Sequence, residues 1–168
     1  MQVGIFADSH DHLDNIRLAV DRFNEEKCDY VLFAGDLVST IAVPPLRSLE
    51  CPLVGCFGDN EGNKLGLRNG LSIVTTLFGE PPVRFRADDG TRFLIAHMER
   101  QLRGLTDEFD VAVYGHTHKP RVDRDKCGRL HINPGETGGW SFGRPTIAVL
   151  DTNTFKTRMI EIRMSGIQ

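Results

Sequence analysis

Apolar residues come in short runs that stop abruptly at Asp, Asn or His. Met1 to Ala7 gives way to Asp8-Ser9-His10, Asp29 to Ala34 to Gly35-Asp36, and Pro52 to Phe57 to Gly58-Asp59-Asn60. Such runs predict short buried strands. Between the first two, Asp14 to Glu26 places Ile16, Leu18, Ala19, Val20 and Phe23 mostly at helical spacing, which predicts an amphipathic helix. Ile41 to Leu49 reads as a short helix with Pro44-Pro45 near its start. Strand, helix, strand, helix, strand implies a parallel sheet built from right-handed crossovers.

The second half changes character. Val83 to Arg86 and Thr91 to Ala96 flank the hairpin signal Asp88-Asp89-Gly90, and the second run stops at His97. A helical stretch is expected from Gln101 to Glu108. Val111 to Tyr114 is a strand stopping at Gly115-His116-Thr117-His118, and Leu130 to Ile132, Pro145 to Leu150 and Lys156 to Ile162 read as closing strands. This half reads as mainly antiparallel, with Lys64 to Leu71 and Gly138 to Arg144 as loops. No linker, repeat or low-complexity tract interrupts the chain, so the expectation is a single α/β domain over residues 1–168 with two sheets.

Composition narrows the function. A chain of 168 residues buries about 70% of the surface its unfolded form exposes, so it needs no staples to fold. With 20 Lys+Arg against 23 Asp+Glu the net charge is -3, which disfavours nucleic-acid or membrane-surface binding by charge alone. Cys28, Cys51, Cys56 and Cys127 form no C-x-x-C pair and read as apolar fillers in a reducing cytosol. The apolar start is too short for a secretory signal and no run is long enough to span a membrane. A cytoplasmic protein is therefore expected.

Five strands run into a polar cluster at their C-terminal ends: Asp8/His10, Asp36, Asp59/Asn60, His97 and His116/His118. Open α/β sheets place ligands there, so these side chains are expected to converge. One Asp after a strand is usually a turn or cap residue; the joint pattern carries the signal. Three carboxylates, four imidazoles and one amide without a thiolate suit Mn, Zn, Fe, Ni or Co. The set exceeds the four ligands of a structural zinc. It suggests two ions sharing a carboxylate, whose chemistry is in-line displacement at phosphorus.

Asp8-x-His10, Gly35-Asp36, Gly58-Asp59-Asn60-Glu61, His97 and Gly115-His116-x-His118 together resemble the calcineurin-like metallophosphoesterase family, in particular its short archaeal and bacterial phosphodiesterase branch. The resemblance continues through Asn133-Pro134-Gly135-Glu136 and the closing strand before Asp151. It implies two mixed β-sheets packed face to face and flanked by helices. It also implies Asp8, His10 and His118 around a first ion, Asp59, His97 and His116 around a second, and Asp36 bridging both. The cofactors implied are two divalent transition-metal ions, manganese first, with nickel, cobalt, zinc or iron as alternatives. The activity implied is hydrolysis of a small phosphodiester by a metal-bridging hydroxide, with Asn60 and His97 as catalytic residues. A homo-oligomer is left open.

The chain departs from the family pattern. Asp59 stands where Asn is usual, so two divalent ions, three carboxylates and a hydroxide sum to zero charge and attract phosphate less. Asn60 replaces a His that helps protonate the leaving oxygen. An amide can orient a phosphate oxygen but cannot supply a proton near neutral pH, which favours good leaving groups such as aryl esters. After His97 the chain reads Met98-Glu99-Arg100; Arg100 offers a phosphate clamp, against a plain surface role for both charges. His12 is read as a rim or capping residue, His131 as a strand residue, and Trp140, Phe142 and Arg144 as ring contacts or loop packing. Two further functions fit the pattern: a nucleotide or dinucleoside-polyphosphate hydrolase, or a non-catalytic scaffold like the retromer subunit of the same fold. Against the scaffold, every direct ligand position keeps a metal-binding side chain.

Overall fold

The computed structural model describes residues 1–106 and 108–163. Strands β1 (Gln2–Phe6), β2 (Tyr30–Ala34), β3 (Leu53–Cys56) and β4 (Thr75–Gly79) run parallel; β10 (Thr146–Asp151) pairs antiparallel with β1, and β11 (Lys156–Glu161) antiparallel with β10. The order is β11-β10-β1-β2-β3-β4. A second sheet has the order β5-β6-β7-β9-β8, from Val83–Arg86, Arg92–Ile95, Val111–Val113, Leu130–Asn133 and Arg121–Arg124. Its centre, β6-β7-β9, is parallel and only its edges are antiparallel. The second half is mainly antiparallel, as expected, through β5-β6, β8-β9, β10-β11 and the pairing of β10 with β1, but the parallel centre of the second sheet was not expected. The parallel centre matters because it points the ends of β6 and β7 the same way.

Two-residue alternation builds the layers. Val3 and Ile5 of β1, and Leu32 and Ala34 of β2, face the second sheet and pack with Ile95, Val111 and Ile132. Phe6, Val31 and Phe33 face the other way, onto helices α1 (Leu13–Glu25), α2 (Val43–Leu46) and α3 (Lys64–Leu71). The α1 helix buries Ile16, Ala19, Val20 and Phe23 on one stripe, and the His12 ring caps its start by accepting from Asn15 N at 3.3 Å. Replacing the fully buried Phe23 by Ala would cost about 3–5 kcal/mol. The outer face of the second sheet is covered by Phe109, Leu102 and Leu105 over Leu94 and Ala112.

Three local expectations change. The stretch from Gln101 to Glu108 is a 3₁₀ turn, Glu99–Leu102, ended at Gly104 with φ +74°; Asp107 lies outside the described residues. Lys64 to Leu71, expected as a loop, is α3. The helix expected over Ile41 to Leu49 is a 3₁₀ turn at Thr40–Ala42 running into the one-turn α2. No helix among the described residues is long and apolar enough to cross a membrane.

Candidate metal centre

The candidate ligands stand at the C-terminal ends of β1, β2, β3, β6 and β7. Five of the seven have left-handed backbones: Asp8 (φ 50°), His10 (41°), Asp36 (69°), His116 (66°) and His118 (60°). Non-glycine residues rarely adopt this region, and such strain gathers at functional sites. The loops are tied to one another. Asp8 N donates to Gly35 O at 3.0 Å, His10 N to Asp36 O at 3.1 Å, and His116 N to the Asp8 carboxylate at 2.9 Å. Two glycines make room. A Cβ at Gly58 would overlap Asp36 Oδ1, and one at Gly115 would lie 2.7 Å from Asp8 Oδ2.

Three overlapping groups result, each with its ligand atoms within 4.8 Å of one another: Asp8, His10 and His118; Asp59, His97 and His116; and, linking these two, Asp8, Asp36 and His97. In the first, His10 Nε2 lies 3.3 Å from His118 Nε2. In the second, His97 Nε2 lies 2.8 Å from Asp59 Oδ1 and 3.3 Å from His116 Nδ1. Asp36 stands between them: its Oδ2 is 3.3 Å from His10 Nε2 and 3.4 Å from His97 Nε2. All seven residues singled out from the sequence as ligands are thus brought together.

Supporting contacts fix how the imidazoles present themselves. His97 Nδ1 lies 2.8 Å from Ala34 O, an acceptor only, so Nδ1 donates there and Nε2 faces the site. His118 Nδ1 lies 2.9 Å from Glu136 Oε2, which orients that ring the same way. Glu136 is buried and also accepts from Ser141 N at 2.8 Å and Phe142 N at 2.6 Å. Asn133 donates to Gly115 O and Thr117 Oγ1, stapling the loop that carries His116 and His118. Glu61 turns away from the cleft: its Oε1 accepts from Asp36 N, Leu37 N and Gly58 N at 2.8–3.2 Å, joining the β2 and β3 loops. The roles of Glu136 and Glu61 escaped the sequence reading, since the partners that define them, His118 and Asp36, lie far away in the chain.

Electrostatics show a site short of positive charge. Burial, reinforced by the Asp36 carboxylate, pushes the Asp8 carboxyl up to about 8. Burial also works to raise Asp59, but His97 and His116 outweigh it and hold Asp59 below the usual carboxylate range. The described ion pairs of Asp8, Asp36 and Asp59 are all with histidines.

The remaining candidates fall at the rim. Asn60 is exposed, and its Nδ2 donates to Asp36 Oδ2 at 2.9 Å and Asp59 Oδ1 at 3.3 Å. Arg100 is exposed on the 3₁₀ turn, and its side chain pairs with no described ligand residue. Glu99 lies 3.8 Å from Arg121 on β8, away from the ligands. His12 meets Trp140, with ring centroids 4.8 Å apart.

The model of the calcineurin-like phosphoesterase superfamily domain matches residues 1–155. The chain belongs to that superfamily. Over 165 residues it is 34% identical to the phosphodiesterase MJ0936 of Methanocaldococcus jannaschii, covering 95% of this chain and 98% of the relative. The solved structure of an archaeal phosphodiesterase superposes with a TM-score of 0.87 at 34% identity, over 96% of this chain and all of that one. The E. coli phosphoesterase YfcE (TM-score 0.71, 16% identity, 97% of this chain and all of that one) shares the fold. So does zinc-complexed Vps29 of Entamoeba histolytica (0.64, 18%, 97% and all of that one).

Proposed function

We propose that the chain works as a single domain hydrolysing small phosphodiesters at a dinuclear metal centre. The observation that carries this reading is Asp36 Oδ2, set between His10 Nε2 and His97 Nε2 and so shared by the two ligand groups. The donor chemistry fits: imidazole nitrogens and carboxylate oxygens without thiolate suit manganese, with nickel, cobalt, zinc or iron as alternatives. The raised carboxyl of Asp8 fits too, because the buried carboxylates Asp8 and Asp36, with only histidines as ion-pair partners, call for cations. Two divalent ions bound there would supply Lewis acidity and lower the pKa of water.

The chain's own residues do the rest. Asp8, His10 and His118 hold one position, Asp59, His97 and His116 the other, and Asp36 joins them. His97 Nδ1 donates to Ala34 O, which leaves Nε2 facing the ligand group and a bound cation. Asn60 can turn its amide from Asp36 to a phosphoryl oxygen, but it carries no titratable proton. The leaving oxygen therefore departs without help from position 60, and esters of acidic alcohols react fastest. Relatedness to an archaeal phosphodiesterase supports the diester over other phosphoesters, and cytoplasmic work at the reducing side of the cell suits its free cysteines.

The test is metal content and turnover of bis(p-nitrophenyl) phosphate after removal of metal and addition of Mn, Ni or Co. Two ions per chain and metal-dependent turnover are expected. A chain that binds no transition metal and turns nothing over overturns the reading.

A further inference from the structure

Beside the first ligand group stands a feature that the hydrolytic chemistry does not use. Trp140, the only tryptophan of the chain, is 65% exposed yet held in place. Its Nε1 donates to the carbonyl of His10 at 3.3 Å, and its ring lies 4.8 Å from the ring of His12 at 41°. The loop beneath it is fixed at both ends. Gly138 N donates to Asp8 O at 3.0 Å and Asn15 Nδ2 to Gly138 O at 2.9 Å. Glu136, already bonded to His118, takes the amides of Ser141 and Phe142. Phe142 is 53% exposed, with Lys119 Nζ 5.6 Å from its ring centroid. An exposed indole anchored to the backbone of one ligand, on a loop anchored to the partner of another, keeps its position relative to the metal centre. On the opposite group the half-exposed side chains are Asp59 and His116, which are polar. The rim is therefore aromatic and cationic on one side and polar on the other.

We infer that Trp140 is a specificity residue that stacks a flat ring, such as a nucleobase, carried by one ester arm of the phosphodiester. His12 braces the indole, and Lys119 adds positive charge near the phosphate arm. The inference rests on the phosphodiesterase reading and adds the substrate class to it. Base–aromatic stacking has the size needed to set a preference, since 1–3 kcal/mol per base amounts to roughly 5- to 150-fold.

The experiment compares three diesters with one leaving group: methyl, phenyl and thymidine 5′ p-nitrophenyl phosphates, in manganese. Wild type is expected to prefer the ring-bearing substrates in kcat/KM over the methyl ester. Trp140→Leu, which keeps apolar bulk without a flat ring, is expected to lower that preference about tenfold, and Trp140→Phe by less than about threefold. A drop for both ring substrates means that any flat ring is stacked; a drop for thymidine alone means that a nucleobase is. An unchanged preference in Trp140→Leu overturns the inference, including the case in which the loop serves only as a contact between copies and the variant merely dissociates them. Because Trp140 is the sole indole, its fluorescence gives a second readout. Quenching by adenosine monophosphate and not by methyl phosphate is expected, and no response to either overturns the inference. Should wild type hydrolyse none of the diesters, the phosphodiesterase reading fails, and the quenching alone decides the stacking site.

Discussion

Glu136 Oε2 lies 2.9 Å from Nδ1 of His118. The same buried carboxylate takes two backbone amides, so all its donors point inward at two oxygens. Burial works to raise its pKa, but the Ser141 amide and His118 outweigh it and hold it below the usual carboxylate range. Glu136→Gln would turn an amide group against a donor and release the His118 ring. Metal affinity is expected to fall about 10- to 100-fold, measured by calorimetric titration with Mn.

Asp59→Asn keeps the shape of the second group and removes one negative charge. Its Oδ1 is 2.8 Å from His97 Nε2, close enough for the charge to be felt at the centre. Phosphodiesterase turnover in a divalent metal is expected to rise, by about tenfold if the change is worth about 1.4 kcal/mol at the transition state. Lower turnover on the same substrate, with metal content unchanged, would sink the charge argument.

Metal removal should couple stability to pH. Asp8 has a folded value of about 8 against about 4 when unfolded. A group raised on folding gives its full stability below the unfolded value and loses it as pH rises through the folded one. The metal-free protein is therefore expected to lose melting temperature between about pH 4 and pH 8, and saturating Mn to flatten that slope, since cations compete with the proton. A metal-free melting temperature that rises over this window would contradict the burial of Asp8.

Glu61→Ala removes the acceptor shared by three backbone amides. A loss of about 3 kcal/mol is expected in urea unfolding with chelator present, where metal binding plays no part. Glu61→Gln keeps one acceptor oxygen and should retain most of the stability.

Strands β1, β2 and β3 and the clustering of the candidate ligands were legible because each apolar run ends on a candidate ligand, and these strands place those ends side by side; β4, Thr75–Gly79, went unread. The expectation of two mixed sheets came from the family resemblance, and the superposition on an archaeal phosphodiesterase bears it out. Elsewhere local pattern misled. α3 contains Gly66 and Gly70, each costing about 1 kcal/mol in a helix interior; it holds through buried Leu67 and Leu71 and through Asn63, whose Oδ1 caps Gly66 N at 2.9 Å. Leu102, Leu105 and Phe109 have helical spacing but pack from a turn and loop broken at Gly104. The charged β8 is an edge strand whose pairing with β9, and not its composition, makes it a strand.

Asp8, His10, Asp36 and Asp59 follow strands of the first sheet, while His97, His116 and His118 follow strands of the second. Each candidate group draws on both: His118 completes the first, and His97 and His116 complete the second. A cation held there would be a rivet through the sandwich. Neither sheet alone brings either candidate group together, so metal capture would report that the two sheets have met, and a chelator would work on their seam.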